Sequence, residues 1–91
     1  GPATVDCRIV SALAVSRGRD PLAGEQLLRE AREDARSGAL PADLAKYDFV
    51  IAQMEQARGV DAPTGLAEAE ALILPSRRRL LLRMMGALIP G

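Results

Sequence analysis

The 91-residue chain has no histidine and no tryptophan, a single cysteine (Cys7) and only two aromatic residues, Tyr47 and Phe49. Each absence removes a class of chemistry. Without histidine the commonest general base and metal ligand is missing, and neither a Ser-His-Asp nor a Cys-His constellation can be assembled from this chain. Zinc sites built from His and Cys are excluded with it. One cysteine cannot form an intrachain disulfide, so stability must come from packing; this fits a reducing compartment, and a cytoplasmic location is expected. The shortage of aromatics weakens RNA-binding sheets, single-strand binders and sugar platforms, all of which stack their ligands. No apolar run approaches the roughly 20 residues that span a bilayer. No secretory signal pattern stands at the N-terminus. Phosphate-binding glycine loops, EF-hand loops and nucleophile elbows are absent as well. No metal and no cofactor is expected, and the chain reads as a non-enzyme.

What is present is alanine, leucine and arginine. Hydrophobic residues make up 48% of the chain, enough for a core and against general disorder. Arginine outnumbers lysine eleven to one, a composition expected of a GC-rich bacterial genome. Gly1-Pro2 without an initiating Met reads as the scar of a protease cut made for expression. Residues 3–91 then form a single helical domain, excised from a larger protein or standing alone.

Gly18, Gly38, Gly59 and Pro75 punctuate the chain into helical segments. The one ambiguous strand signal is the short alternation Val5, Cys7, Ile9. A first helix is expected over about residues 6–17, with Ile9, Val10 and Leu13 on one face and Gly18 in the left-handed position beyond its end. The second has the clearest start: Asp20 caps, and Pro21 suits the first helical position because its missing N–H would be unpaired there anyway. It is expected to reach Ser37, burying Leu27, Leu28, Ala31 and Ala35, with a solvated face on which Arg29 pairs with Glu25 and Glu33. A third helix begins at Pro41 and runs to about Arg58. Leu44, Tyr47, Ile51 and Met54 line one side of it and Phe49 the other, so it either lies centrally in a bundle or turns one face to a partner. The short link between helices 2 and 3 forces an antiparallel hairpin. A fourth helix is expected over about residues 64–74, burying Leu66, Ala69, Leu72 and Ile73. A fifth is expected over about 77–89, with Pro75 breaking the chain and Ser76 as cap. The fold class is therefore all-α: a small bundle of four to five short helices with the hairpin of helices 2 and 3 at its centre. The glycines are read as marking helix ends, and Cys7 as a partly buried structural residue.

The formal net charge is zero, from 12 basic and 12 acidic groups, which excludes the strongly basic footprint of a generic nucleic-acid binder. The zero hides an arrangement. Residues 41–75 carry two basic and six acidic groups, a net of −4; residues 76–91 carry four arginines and no acid, a net of +4. No carboxylate pair forms a natural acid/base dyad: Glu33 and Asp34, or Glu68 and Glu70, point in different directions on a helix, and Glu30 with Asp34 sits among arginines.

The tail helix is the unusual segment. Ser76, Arg79, Arg83 and Gly86 share one narrow face, and the leucines and methionines cover the rest, so the helix is too apolar to stand alone in water. Four readings compete. It is the last core helix, its arginines paired to the acidic middle. It is a partner surface, with methionines as adaptable contacts. It lies on a membrane surface. Or it contacts nucleic acid through Arg77–Arg79, a weak reading because four arginines neutralise few phosphates. The expectation is a non-catalytic protein-interaction module: an adaptor, docking domain, small chaperone or assembly subunit. Its partner would be another protein or a second copy of the chain. The anchors would be Leu80, Leu81, Met84, Met85 and Leu88, oriented by Arg77, Arg79 and Arg83. A membrane-surface or lipid-binding domain is the alternative. A helical DNA-binding domain is third, disfavoured because Asp43, Asp48 and Glu55 on helix 3 would repel phosphates.

Overall fold

The computed structural model describes residues 2–18, 20–60 and 65–86. Five helices follow one another: α1 (Pro2–Gly18), α2 (Pro21–Ala35), α3 (Pro41–Ala57), α4 (Leu66–Ala71) and α5 (Pro75–Met85), with no strand among the described residues. The Val5-Cys7-Ile9 alternation lies within α1. The most extensive packing is α1 against α2, followed by α2 against α3 and α3 against α4. α1 also touches α3 and, more lightly, α5. The expected bundle with its α2–α3 hairpin is the fold observed.

Four of the five helices begin at a proline, Pro2, Pro21, Pro41 and Pro75. In α2 the Asp20 side chain also caps, accepting from the Leu22 N–H at 2.9 Å. Pro75 thus starts α5 rather than merely ending the segment before it. Leu74 is the extended cap residue, and Ser76 already lies inside the helix. α3 ends in a Schellman arrangement: the Val60 N–H bonds the Glu55 carbonyl and the Gly59 N–H bonds the Gln56 carbonyl, with Gly59 at φ 87°. Gly18 is different from its expected role; it lies within α1, without a left-handed backbone.

α3 is the hub. Tyr47 and Phe49, predicted on opposite sides, are both buried, as are Val50, Ile51, Ala52 and Met54. A helix buried around most of its circumference must be surrounded, and α1, α2 and α4 do this. Ile9 and Leu13 of α1, Leu28 of α2, Ala69 of α4, Ile73 in the turn after α4, and Leu81 and Met85 of α5 complete one continuous core.

Several predicted core positions are exposed instead. Val10 and Leu27 look outward from α1 and α2, and Leu72, beyond the end of a shorter α4, lies on the surface. One glycine does not mark a helix end. Gly24 is buried inside α2, where a Cβ would stand 1.7 Å from the Ser16 Oγ and 2.5 Å from the Ala12 carbonyl oxygen. Only a residue without a side chain lets α1 and α2 approach this closely, which outweighs the helix-propensity cost of about 1 kcal/mol.

Candidate partner-binding surface

The charges of the bundle sort into two groups. The first lies among α1, α2 and α3 and is matched. Glu25 is buried and accepts hydrogen bonds from Arg58 at both oxygens, from Nε at 3.0 Å and from Nη2 at 2.9 Å. Arg29 adds a third at 3.0 Å and reaches on to Glu55 at 3.4 Å. Burial pushes the Glu25 carboxyl up, but the bonds from Arg58 and then Arg29 outweigh it and hold the group below its ordinary value. The expected solvated pairing of Arg29 with Glu25 and Glu33 is therefore replaced, at Glu25, by a buried clamp joining α2 to the end of α3. Sequence offered no signal for it, because Arg58 lies 33 positions away.

Beside it, Arg32 forks onto Asp48 at 2.8 and 3.3 Å, and the bond to Asp48 raises the arginine's pKa. Lys46, almost fully buried, lies 3.6 Å from Asp6 and 3.9 Å from Asp43. Arg8 pairs with Asp34 and Arg36 with Glu33. Arg17 donates to the Met84 carbonyl, supplying a cation and a donor to the last turn of α5. Every buried side-chain polar atom among the described residues has a partner.

The second group lies on α5. Among the described residues, the expected match between the tail arginines and the acidic middle reduces to one pair, Arg78 with Glu70 at 3.7 Å. The carboxylates of α3 are occupied mainly by α2 arginines and by Lys46. Arg77, Arg79 and Arg83 are exposed, with no carboxylate at ion-pair distance among the described residues.

The structure divides the predicted anchors. Leu81 and Met85 are buried inside the protein's own core and offer no contact surface. Leu80 is 36% exposed and Met84 is half-buried, so both remain reachable, while Leu88 lies outside the described residues. The reason is helical geometry: positions 81 and 85 are one turn apart and share the face turned into the core, and positions 79, 80 and 83 lie off that face. Two shallow grooves flank Arg83. One of about 220 Å³ is lined by Val10, Leu13, Arg17, Arg83 and Met84; the other, of about 390 Å³, lies against Arg79, Leu82 and Arg83. Leu72 and Leu74, at 52% and 69% exposure, extend the apolar surface around the start of α5.

The remaining concavities carry less. A cleft of about 390 Å³ between α2 and α3 is walled by groups already engaged with one another, Arg29, Arg32, Asp48 and Glu55 among them. Another of the same size lies beside Tyr47, whose hydroxyl burial shifts to a higher pKa despite the opposing charge of Arg8. Cys7, expected to be partly buried, is exposed on α1. No group of three or more His, Cys, Asp or Glu side chains gathers as a metal site among the described residues. No helix among them is long and apolar enough to cross a membrane. Comparison with protein-family profiles, with characterised proteins and with solved structures yields no match to this chain.

Proposed function

We propose that the chain is a non-catalytic helical protein-interaction module that engages another protein through the outward face of α5. The observation that carries this reading is the contrast in arginine use. Arg8, Arg29, Arg32, Arg36, Arg58 and Arg78 each stand beside a carboxylate and Arg17 holds a carbonyl, whereas Arg77, Arg79 and Arg83 meet neither among the described residues. These three sit beside Leu80, Met84 and the exposed Leu74, a mixture of cationic and apolar groups of the kind that orients and anchors a partner. Of the two helices a DNA-binding domain could use, the burial of α3 argues against that one, because a helix enclosed by its neighbours cannot enter a groove, and the four arginines of α5 neutralise few phosphates.

A photo-crosslinking residue placed at position 80 or 84 tests the reading in an extract of the native cells. Discrete protein adducts are expected there and not from position 30, on the exposed side of α2. Adducts equal at all three positions, or none that Arg83→Glu diminishes, would remove α5 as the contact face. The lipid-surface alternative finds support in Leu72 and Leu74 standing exposed near the arginines. It predicts co-sedimentation with anionic vesicles in place of the adducts.

A further inference from the structure

Arg79 and Arg83 stand one helical turn apart, about 6 Å along the axis of α5, and form a cationic ridge. A groove with apolar floor lies on each side of Arg83, one beside Arg79 and floored by Leu82, the other floored by Val10, Leu13 and Met84 with Arg17 at its edge. A ridge with i, i+4 spacing between grooves is the surface onto which a second helix packs, laying its own rows of side chains into the grooves. α5 carries no Asp or Glu, and no carboxylate of the described residues reaches either arginine. Resting on the reading of α5 as a protein-contact face, we infer that its partner element is an acidic amphipathic helix. That helix presents two carboxylates at i, i+4 spacing to Arg79 and Arg83, and flanking leucine- or methionine-sized side chains to the grooves.

The chemistry follows from the geometry. Carboxylates one turn apart on the incoming helix have the same axial spacing as positions 79 and 83, and each guanidinium fork can donate two parallel hydrogen bonds to a carboxylate. A lysine at either position would give a point charge without the fork. The grooves on either side are shallow, so the apolar residues contribute contact area and the charged pair sets register and direction. Arg17 lines the inner groove but is committed to the Met84 carbonyl, so the ridge charge belongs to Arg79 and Arg83.

Display selection of a random helical-peptide library tests this on the full chain, against an Arg79→Glu/Arg83→Glu variant and a milder Arg79→Gln/Arg83→Gln variant. All four substitutions are on exposed side chains, and unchanged far-ultraviolet circular dichroism checks that the fold is kept. The wild-type chain should enrich peptides with Asp or Glu at i, i+4 beside Leu, Ile or Met. The charge-reversed variant should enrich Lys or Arg at those positions. A synthetic peptide of the selected sequence should bind the Gln variant about tenfold more weakly than wild type, and its binding to wild type should weaken as added salt shortens the screening length, more than its binding to the Gln variant does. Selected peptides that lack the acidic pair, yet bind α5, would overturn the acidic-helix inference and leave the protein-contact reading standing. No enrichment at all, together with binding to equimolar phosphatidylserine–phosphatidylcholine vesicles that Arg79→Glu/Arg83→Glu abolishes, would overturn both.

Discussion

Where α2 and α3 meet, arginines stand opposite carboxylates on the neighbouring helix: Arg32 opposite Asp48, Arg29 opposite Glu55, and Arg58 opposite Glu25. In α5 the same residue type meets a carboxylate only at Arg78 among the described residues. The difference does not lie in how basic the helices are. α2 carries acids of its own and faces a helix rich in them, whereas α5 carries none and buries Leu81 and Met85 in the apolar core. Arginine becomes structural when a facing helix supplies the acid, and remains available when no facing helix does. The chain's zero net charge therefore describes neither region: one is matched locally, and the other leaves its surplus on the surface.

The largest test of the comparison strikes the matched region at its tightest point. Gly24→Ala places a methyl group where Ser16 and the Ala12 carbonyl already stand, so α1 and α2 must separate. A loss of about 3 kcal/mol is expected, with overpacking as its cause, and the melting temperature should fall by roughly 10–20 °C. Gly38→Ala, with nothing within 4 Å of the new carbon, is the control and should leave thermal unfolding nearly unchanged. If both glycines tolerate alanine equally, the close approach of α1 to α2 is not a determinant of the fold.

The second test divides α5 against itself. Leu81 is buried at 3% exposure and its neighbour Leu80 is not. Leu81→Ala should cost about 2–3 kcal/mol, from lost transfer energy and the cavity left behind. Leu80→Ala should cost under about 1 kcal/mol by chemical denaturation. Equal losses would mean that the two faces of α5 are alike, and the notion of an inward and an outward side would fall.

Much of this arrangement is legible in the chain, and the failures have physical causes. Asp20-Pro21 and Pro41 announce their helices because capping and the first-turn preference for proline are local effects. Pro75 carries the same signal, and reading it as a break misplaced the start of α5 by two residues. The placement of Tyr47 and Phe49 on opposite sides of α3 leaves open a central helix or a partner face, and the structure shows the central one. Gly24 is misread with the other glycines as marking a helix end; a glycine that costs helix stability with no turn to justify it is the signal of a close contact that this reading passes over. The Glu25–Arg58 clamp was not legible. Glu25 looks like any member of a charged helix face until the end of α3 is brought against it, and only tertiary packing does that. The same holds for the predicted anchors Leu81 and Met85. Periodicity shows that a helix has an apolar face, but not whether its own bundle or a partner covers it.

The third test uses pH. The Glu25 carboxyl is held below its ordinary value of 4.5 because Arg58 and Arg29 outweigh its burial. A folded-state value lower than the unfolded one means that the unfolded chain binds the extra proton. The contribution is therefore fully present above about pH 5 and is lost as the pH falls through 4.5 toward the folded value. Glu25→Gln should remove about 1 kcal/mol at neutral pH, because the hydrogen bonds to charged donors weaken. It should also flatten the decline of stability between roughly pH 5 and pH 3. A variant with the same acid profile as wild type would show that the clamp is solvated and contributes nothing.

The smallest expected effect is the most informative about function. Arg79→Ala and Arg83→Ala should each change unfolding free energy by no more than about 0.5 kcal/mol, since neither side chain meets a carboxylate among the described residues. Arg58→Ala should lower the melting temperature measurably, because it leaves the buried Glu25 with one arginine instead of two. The two results sharpen each other. Arginine side chains are long and lose considerable rotamer freedom when fixed. Charges kept on one helical face without a role in stability are thus better accounted for by what they meet outside the molecule. Should Arg79→Ala destabilise the chain as much as Arg58→Ala, α5 would use its arginines as the α2–α3 pair does, and the proposed partner surface would lose the observation that carries it.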